Sequence, residues 1–114
     1  MIDKYILNGT EIVQIDDVIE WEQWFEEADR HVAYKDIAEG IYVSTIFLGL
    51  DHQCGNGPPL LFETMVFWDA NKENNNYMER YSTWHEAEQG HERVCALVRA
   101  WIEDLEGRVT NYEK

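Results

Sequence analysis

Two runs of strand-forming residues decide most of what this chain can fold into. Ile41-Tyr42-Val43-Ser44-Thr45-Ile46-Phe47-Leu48 and Leu60-Leu61-Phe62-Glu63-Thr64-Met65-Val66-Phe67-Trp68 are both rich in β-branched and aromatic side chains, which fit a pleated surface better than a helix. Between them lies Asp51-His52-Gln53-Cys54-Gly55-Asn56-Gly57-Pro58-Pro59, whose glycines and prolines break any regular element. The two runs therefore read as an antiparallel hairpin. Both alternating faces of the first run are fairly apolar, which places that strand centrally in a sheet.

The flanking segments extend this plan. Tyr5-Ile6-Leu7 and Ile12-Val13-Gln14-Ile15 surround Asn8-Gly9, a pair that readily takes the positive φ angles of a tight hairpin turn. Residues 31–37 read as extended up to a turn at Glu39-Gly40, and a polar stretch from Asp69 to Asn76 leads to a short strand over 77–82. Two segments change period. Val18, Trp21, Trp24, Phe25, Ala28 and Val32 recur at three- and four-residue steps behind a capping box of Asp17 and Glu20, which predicts an amphipathic helix over 17–31. A second box, Thr83 with Glu86, opens a helix with a core stripe of Ala87, His91, Val94, Leu97, Val98, Trp101 and Leu105, and Gly107 stands where a stop is expected. The resulting order, ββ-α-ββββ-α, predicts a single α+β domain over 1–114, an antiparallel β-sheet with two amphipathic helices packed against it. No internal repeat or Pro/Gly/Ser linker divides the chain.

Charge narrows the functions available. The 23 Asp and Glu outnumber the 9 Lys and Arg, for a net charge of −14, yet 45% of residues are hydrophobic and 13% aromatic, so the chain is expected to fold rather than remain disordered. A domain of this size buries roughly two-thirds of its unfolded surface, enough for one core. Direct binding to nucleic acid or to anionic membranes is disfavoured, because both draw affinity from Lys and Arg. No apolar run approaches the ~20 residues that span a bilayer, and Met1-Ile2-Asp3-Lys4-Tyr5 has no secretory signal character. A cytoplasmic protein with reduced thiols at Cys54 and Cys95 is expected, and Asn8-Gly9-Thr10 then reads as a turn and not a glycan site.

Chemistry has two candidate locations. The first is Asp51-His52 at a strand end with Glu63 early in the return strand and His91 on the helix stripe. A carboxylate beside a neutral imidazole can act as acid and base or hold a divalent cation. Glu63 is unusual inside an apolar strand, where an unpaired charge is costly, and Arg80 on the neighbouring strand is its natural partner. Each of these residues also has a structural reading: Asp51 as an Asx cap, Glu63 with Arg80 as an ion pair, His91 as a hydrogen-bonded core residue. Gly90, costly within a helix, implies close approach of the sheet or a ligand. Phosphate-binding loops, zinc-protease and hydrolase motifs are missing from the sequence, so no metal or cofactor is assigned. The second location is the first helix. Asp16, Asp17, Glu20, Glu22, Glu26, Glu27 and Asp29 precede its first base, Arg30, forming an acidic face that either is simply solvated or imitates a nucleic-acid backbone.

Several blocks in this order carry a resemblance: Glu20-Trp21 with Trp24-Phe25-Glu26; Val43 through His52; Gly57-Pro58-Pro59-Leu60-Leu61-Phe62-Glu63-Thr64-Met65-Val66-Phe67; and Arg80-Tyr81-Ser82-Thr83-Trp84 with Glu86-Ala87 and Gly90-His91. The pattern resembles a family of small uncharacterised proteins encoded by tailed bacteriophages and prophages. It covers about Trp21 to His91 and departs from the family at Cys54, usually aromatic, and at Trp68 with residues 69–76, usually a Gly-containing turn. The resemblance implies a phage origin and no particular activity. Two functions follow as expectations. The leading one is a non-enzymatic phage accessory protein in the host cytoplasm, binding a basic host defence protein through Glu20, Glu22, Glu26, Glu27 and Asp29, with Arg80 as a further binding candidate. The alternative is a small-molecule or nucleotide-binding or hydrolytic domain around Asp51, His52, Glu63, Arg80 and His91, which requires those side chains to converge. A minor structural or regulatory phage component is a third reading, and a homodimer stays open.

Overall fold

The computed structural model describes residues 2–69 and 77–112, with side chains as far as residue 108. It is an α+β fold with strands β1 (Lys4–Asn8) and β2 (Glu11–Ile15), helix α1 (Val18–Glu27), strands β3 (His31–Ala38), β4 (Ile41–Phe47), β5 (Phe62–Trp68) and β6 (Met78–Tyr81), and helix α2 (Trp84–Tyr112). The expected order of elements is the observed one. The strands do not form one sheet, however: β1 and β2 pair separately, and β3-β4-β5-β6 form an antiparallel meander. The two sheets are linked where Lys4 bridges Leu50 and the Tyr5 N–H donates to the Gly49 carbonyl at 2.8 Å.

The register explains where the core lies. Thr45 opposes Thr64 and Phe47 opposes Phe62, so Ile41, Val43, Thr45 and Phe47 share a face with Phe62, Thr64, Val66 and Trp68, and all eight are buried. α2 covers this face. Its contacts divide the core into two apolar clusters. Ile41, Val43, Val66 and Trp68 pack on Val94, Cys95 and Val98, while Tyr5, Phe47, Leu61, Phe62 and Tyr81 gather around Ala87, with Trp24 and Trp84 at the margin. Between them lies a buried polar layer of Thr45, Thr64 and His91. The opposite sheet face is only partly buried. Tyr34, Tyr42 and Phe67 lie ring to ring across three strands there, with centroids 5.3 and 4.7 Å apart.

Three local expectations are corrected. The turn of the first hairpin is Gly9-Thr10, since Asn8 still pairs with Glu11; of the Asn-Gly pair only Gly9, at φ 65°, has a positive φ. The first helix ends at Glu27, with Ala28 extended and Val32 in β3. It rests on the β1-β2 hairpin and the end of the sheet, where the Trp21 indole N–H lies 3.1 and 3.2 Å from the carbonyls of Tyr5 and Gly49 and the Trp24 ring meets Phe47 edge-on at 5.7 Å. Gly107 does not stop α2, which continues to Tyr112, and Leu105 on the expected core stripe is 46% exposed. The polar stretch between β5 and β6 lies, from residue 70 to 76, outside the described residues.

Candidate functional site

Asp51 organises the loop between β4 and β5. Its Oδ1 accepts the N–H groups of Gln53 at 2.7 Å and Leu60 at 3.0 Å, an Asx-type cap that ties the two ends of the loop together. His52 follows with its N–H donating to the Leu60 carbonyl at 3.1 Å and its Nδ1 2.9 Å from the Leu50 carbonyl. Both side chains serve the loop's own backbone.

Glu63 and His91 lie on opposite faces of the sheet. Glu63 sits directly across from Arg80 in the ladder and accepts from its Nε at 3.0 Å; the carboxylate is 10% exposed and the guanidinium 32%. Burying the acid without that partner would leave an uncompensated charge, so the pair stands as one unit. The hollow beside it, of about 40 Å³, is lined by Ser44, Ile46, Met65 and Phe67 and by none of the other candidates. His91 belongs to the polar layer under α2. Its Nδ1 is 2.8 Å from Thr45 Oγ1, which is 2.6 Å from Thr64 Oγ1, and its Nε2 is 3.6 Å from Cys95 Sγ. Burial holds the imidazole below its usual range, against the opposing charge of Glu92. A neutral His91 thus completes a buried chain of polar groups in which, among the described residues, every buried side-chain N or O has a partner. Asp51, His52, Glu63 and His91 therefore do not assemble into a single site, and among the described residues no three His, Cys, Asp or Glu are placed to share a metal ion.

The acids of the first helix are arranged differently. Asp16, Asp17, Glu20, Glu22, Glu26, Glu27 and Asp29 are all exposed. Asp17 caps α1 by accepting from the N–H groups of Ile19 at 2.9 Å and Glu20 at 3.2 Å. Asp29 accepts from the His31 N–H at 3.0 Å and lies 2.9 Å from its ring, and these bonds lower its pKa. None of the seven has a Lys or Arg within ion-pairing distance among the described residues. With Trp21, Trp24 and Phe25 turned inward, the 100° step of a helix sends Ile19, Glu22, Gln23, Glu26 and Glu27 outward. Ile19 is 67% exposed there.

One constellation escaped the sequence reading. Glu79 accepts from Tyr77 Oη at 2.5 Å and Tyr81 Oη at 3.2 Å and is ion-paired with Arg93 of α2. Burial pushes its carboxyl up, but the bonds from Tyr77, Arg93 and Tyr81 together with the charge of Arg93 outweigh that and leave it below the usual carboxylate range. Burial, chiefly, pushes the Tyr81 hydroxyl up to about 12. The available signal was the alternation Tyr77, Glu79, Tyr81, which places all three on one side of a strand. The group fastens β6 to α2.

No protein-family model, curated protein or solved structure matches the chain. Among the described residues no helix is long and apolar enough to cross a membrane.

Proposed function

We propose that the chain is a non-catalytic binding protein that engages the basic surface of a partner protein through the outward face of α1. The observation that carries this reading is the exposed run of seven carboxylates without Lys or Arg partners, four of them on α1 (Glu20, Glu22, Glu26 and Glu27) and three just beyond its ends, with Ile19 exposed near the helix start. Unpaired surface charge of one sign accelerates encounter with a complementary surface, and an exposed apolar residue supplies contact once the surfaces meet. The dispersal of Asp51, His52, Glu63 and His91 supports binding over hydrolysis. The resemblance to phage-encoded proteins favours a host protein as the partner, and the acidic face suits one that ordinarily binds nucleic acid, such as a defence factor.

The test is capture of basic host proteins at low salt by the wild-type chain and by a variant with Glu22, Glu26, Glu27 and Asp29 changed to Lys. All four sites are exposed, and circular dichroism of the variant checks that its fold is retained without the Asp29–His31 hydrogen bonds. The expected result is retention of a nucleic-acid-binding protein that elutes as salt rises and is missing from the variant. Equal capture by both chains would overturn the proposal.

A further inference from the structure

Cations are scarce in this chain, and their distribution is uneven. Arg80, Arg93 and Arg108 are each paired with a carboxylate, and Arg30 lies over the Phe25 ring at 4.0 Å while donating to the Phe47 carbonyl at 3.0 Å. Lys4, Lys35 and Arg99 have no carboxylate within ion-pairing distance among the described residues. Lys35 and Arg99 line the same cleft, a space of about 320 Å³ between β3 and α2 with Glu92 on its wall and His91 and Cys95 at its base. The cleft is comparable in size to the smaller small-molecule sites.

We infer that this cleft is a binding site for a small phosphate monoester, with Lys35 and Arg99 holding the phosphate and Glu92 receiving hydrogen bonds from the other end of the molecule. The two cations come from different elements, Lys35 from a strand and Arg99 from a helix, and both line this cleft. Arg99 offers a planar fork of donors matched to phosphate oxygens, and Lys35 adds a point charge. The Cys95 thiol at the base of the cleft is pushed up by burial, pulled down by Arg99, pushed up by Glu92 and pulled down more weakly by Lys35. Glu92, Cys95 and Arg99 share a helix face at steps of three and four, which sets Glu92 about 10 Å along the axis from Arg99 at 1.5 Å per residue. A ligand phosphate beside Arg99 thus keeps clear of the carboxylate, and hydroxyl or amino groups at the far end find an acceptor. A chain with 23 acids and 9 bases has ample carboxylate to neutralise both cations, yet the fold leaves them facing this space.

The experiment is titration of the full-length protein with inorganic phosphate and with ribose 5-phosphate, followed by NMR at constant ionic strength. Saturable shifts at Lys35, Cys95 and Arg99 are expected, with the sugar phosphate saturating at a lower concentration. Lys35→Ala and Arg99→Ala each weaken both ligands by about tenfold, the scale of one lost charge-assisted hydrogen bond, while Lys4→Ala changes neither. Glu92→Gln weakens ribose 5-phosphate and leaves inorganic phosphate little changed, because the carboxylate lies clear of the phosphate subsite. All four side chains are exposed except Lys4, which is half-buried, and the spectrum of each variant reports its fold directly. Failure of phosphate to produce saturable shifts, or shifts that survive both Lys35→Ala and Arg99→Ala, would overturn the site. Equal affinity for the two ligands would overturn the role given to Glu92.

Discussion

At Gly90 a single hydrogen in place of a side chain decides how closely helix and sheet approach. A Cβ added there would lie 2.2 Å from both Cζ and Oη of Tyr81, and that ring is itself buried and held through its hydroxyl by Glu79. The sequence alone shows the glycine as a cost of ~1 kcal/mol within a helix; the packing shows what the cost permits. Gly90→Ala gains that helix propensity and loses more to overpacking, typically 1–3 kcal/mol. A net destabilisation of up to about 2 kcal/mol is therefore expected in urea unfolding. In a Tyr81→Leu background, where the colliding atoms are gone, the same substitution becomes neutral or stabilising. An unchanged penalty in that background would show that the ring is not the cause.

The lengths of the two helices show where sequence periodicity is informative and where it misleads. Both capping residues were legible, and both are seen: Asp17 accepts from Ile19 and Glu20, and Thr83 Oγ1 accepts from the Glu86 N–H at 3.1 Å. The ends were not. Ala28 and Val32 continue the three-four spacing of α1, but the Arg30 carbonyl already accepts from the Phe47 N–H at 2.7 Å, so sheet pairing captures the chain first. Glu26 and Glu27 near the C-terminal end also oppose the helix dipole. Gly107 invites the opposite error. It has the ordinary negative φ of a helix, and the Asp104–Arg108 pair at 3.1 Å spans it. Pairings within a strand neighbourhood, such as Glu63 with Arg80, could be anticipated from sequence; the placement of Lys35 and Arg99 on one cleft depends on how α2 lies over β3, which no local pattern encodes. Because α1 is ten residues long with no fully buried side chain, its cap should matter locally. Asp17→Ala is expected to weaken the helix by about 1 kcal/mol and to speed hydrogen exchange in α1, leaving the amides of α2 over 87–98 unchanged. Equal acceleration in both helices would mean that α1 and the sheet open as one unit.

Across the whole molecule, the acidity that suits α1 to a basic partner also works against the folded state. Three Lys/Arg–carboxylate pairs are present among the described residues, against a net charge of −14. Most carboxylates therefore feel more repulsion than attraction, and compaction brings them closer. Screening separates this effect from other actions of salt. The Debye length falls from about 30 Å at 0.01 M to about 8 Å at 0.15 M, so relief of repulsion should be largely complete by that concentration, whereas strengthening of apolar burial by salt continues to grow well beyond it. Thermal unfolding in rising NaCl is expected to show most of its gain below about 0.2 M, amounting to about 1 kcal/mol or several degrees in Tm for a domain of this size. The variant carrying Lys at positions 22, 26, 27 and 29 should show a smaller gain, because the densest repulsion has been removed. A Tm that stays flat or falls over the same range would mean that the three ion pairs outweigh the excess charge, and that the acidic face carries no energetic cost for a partner to relieve.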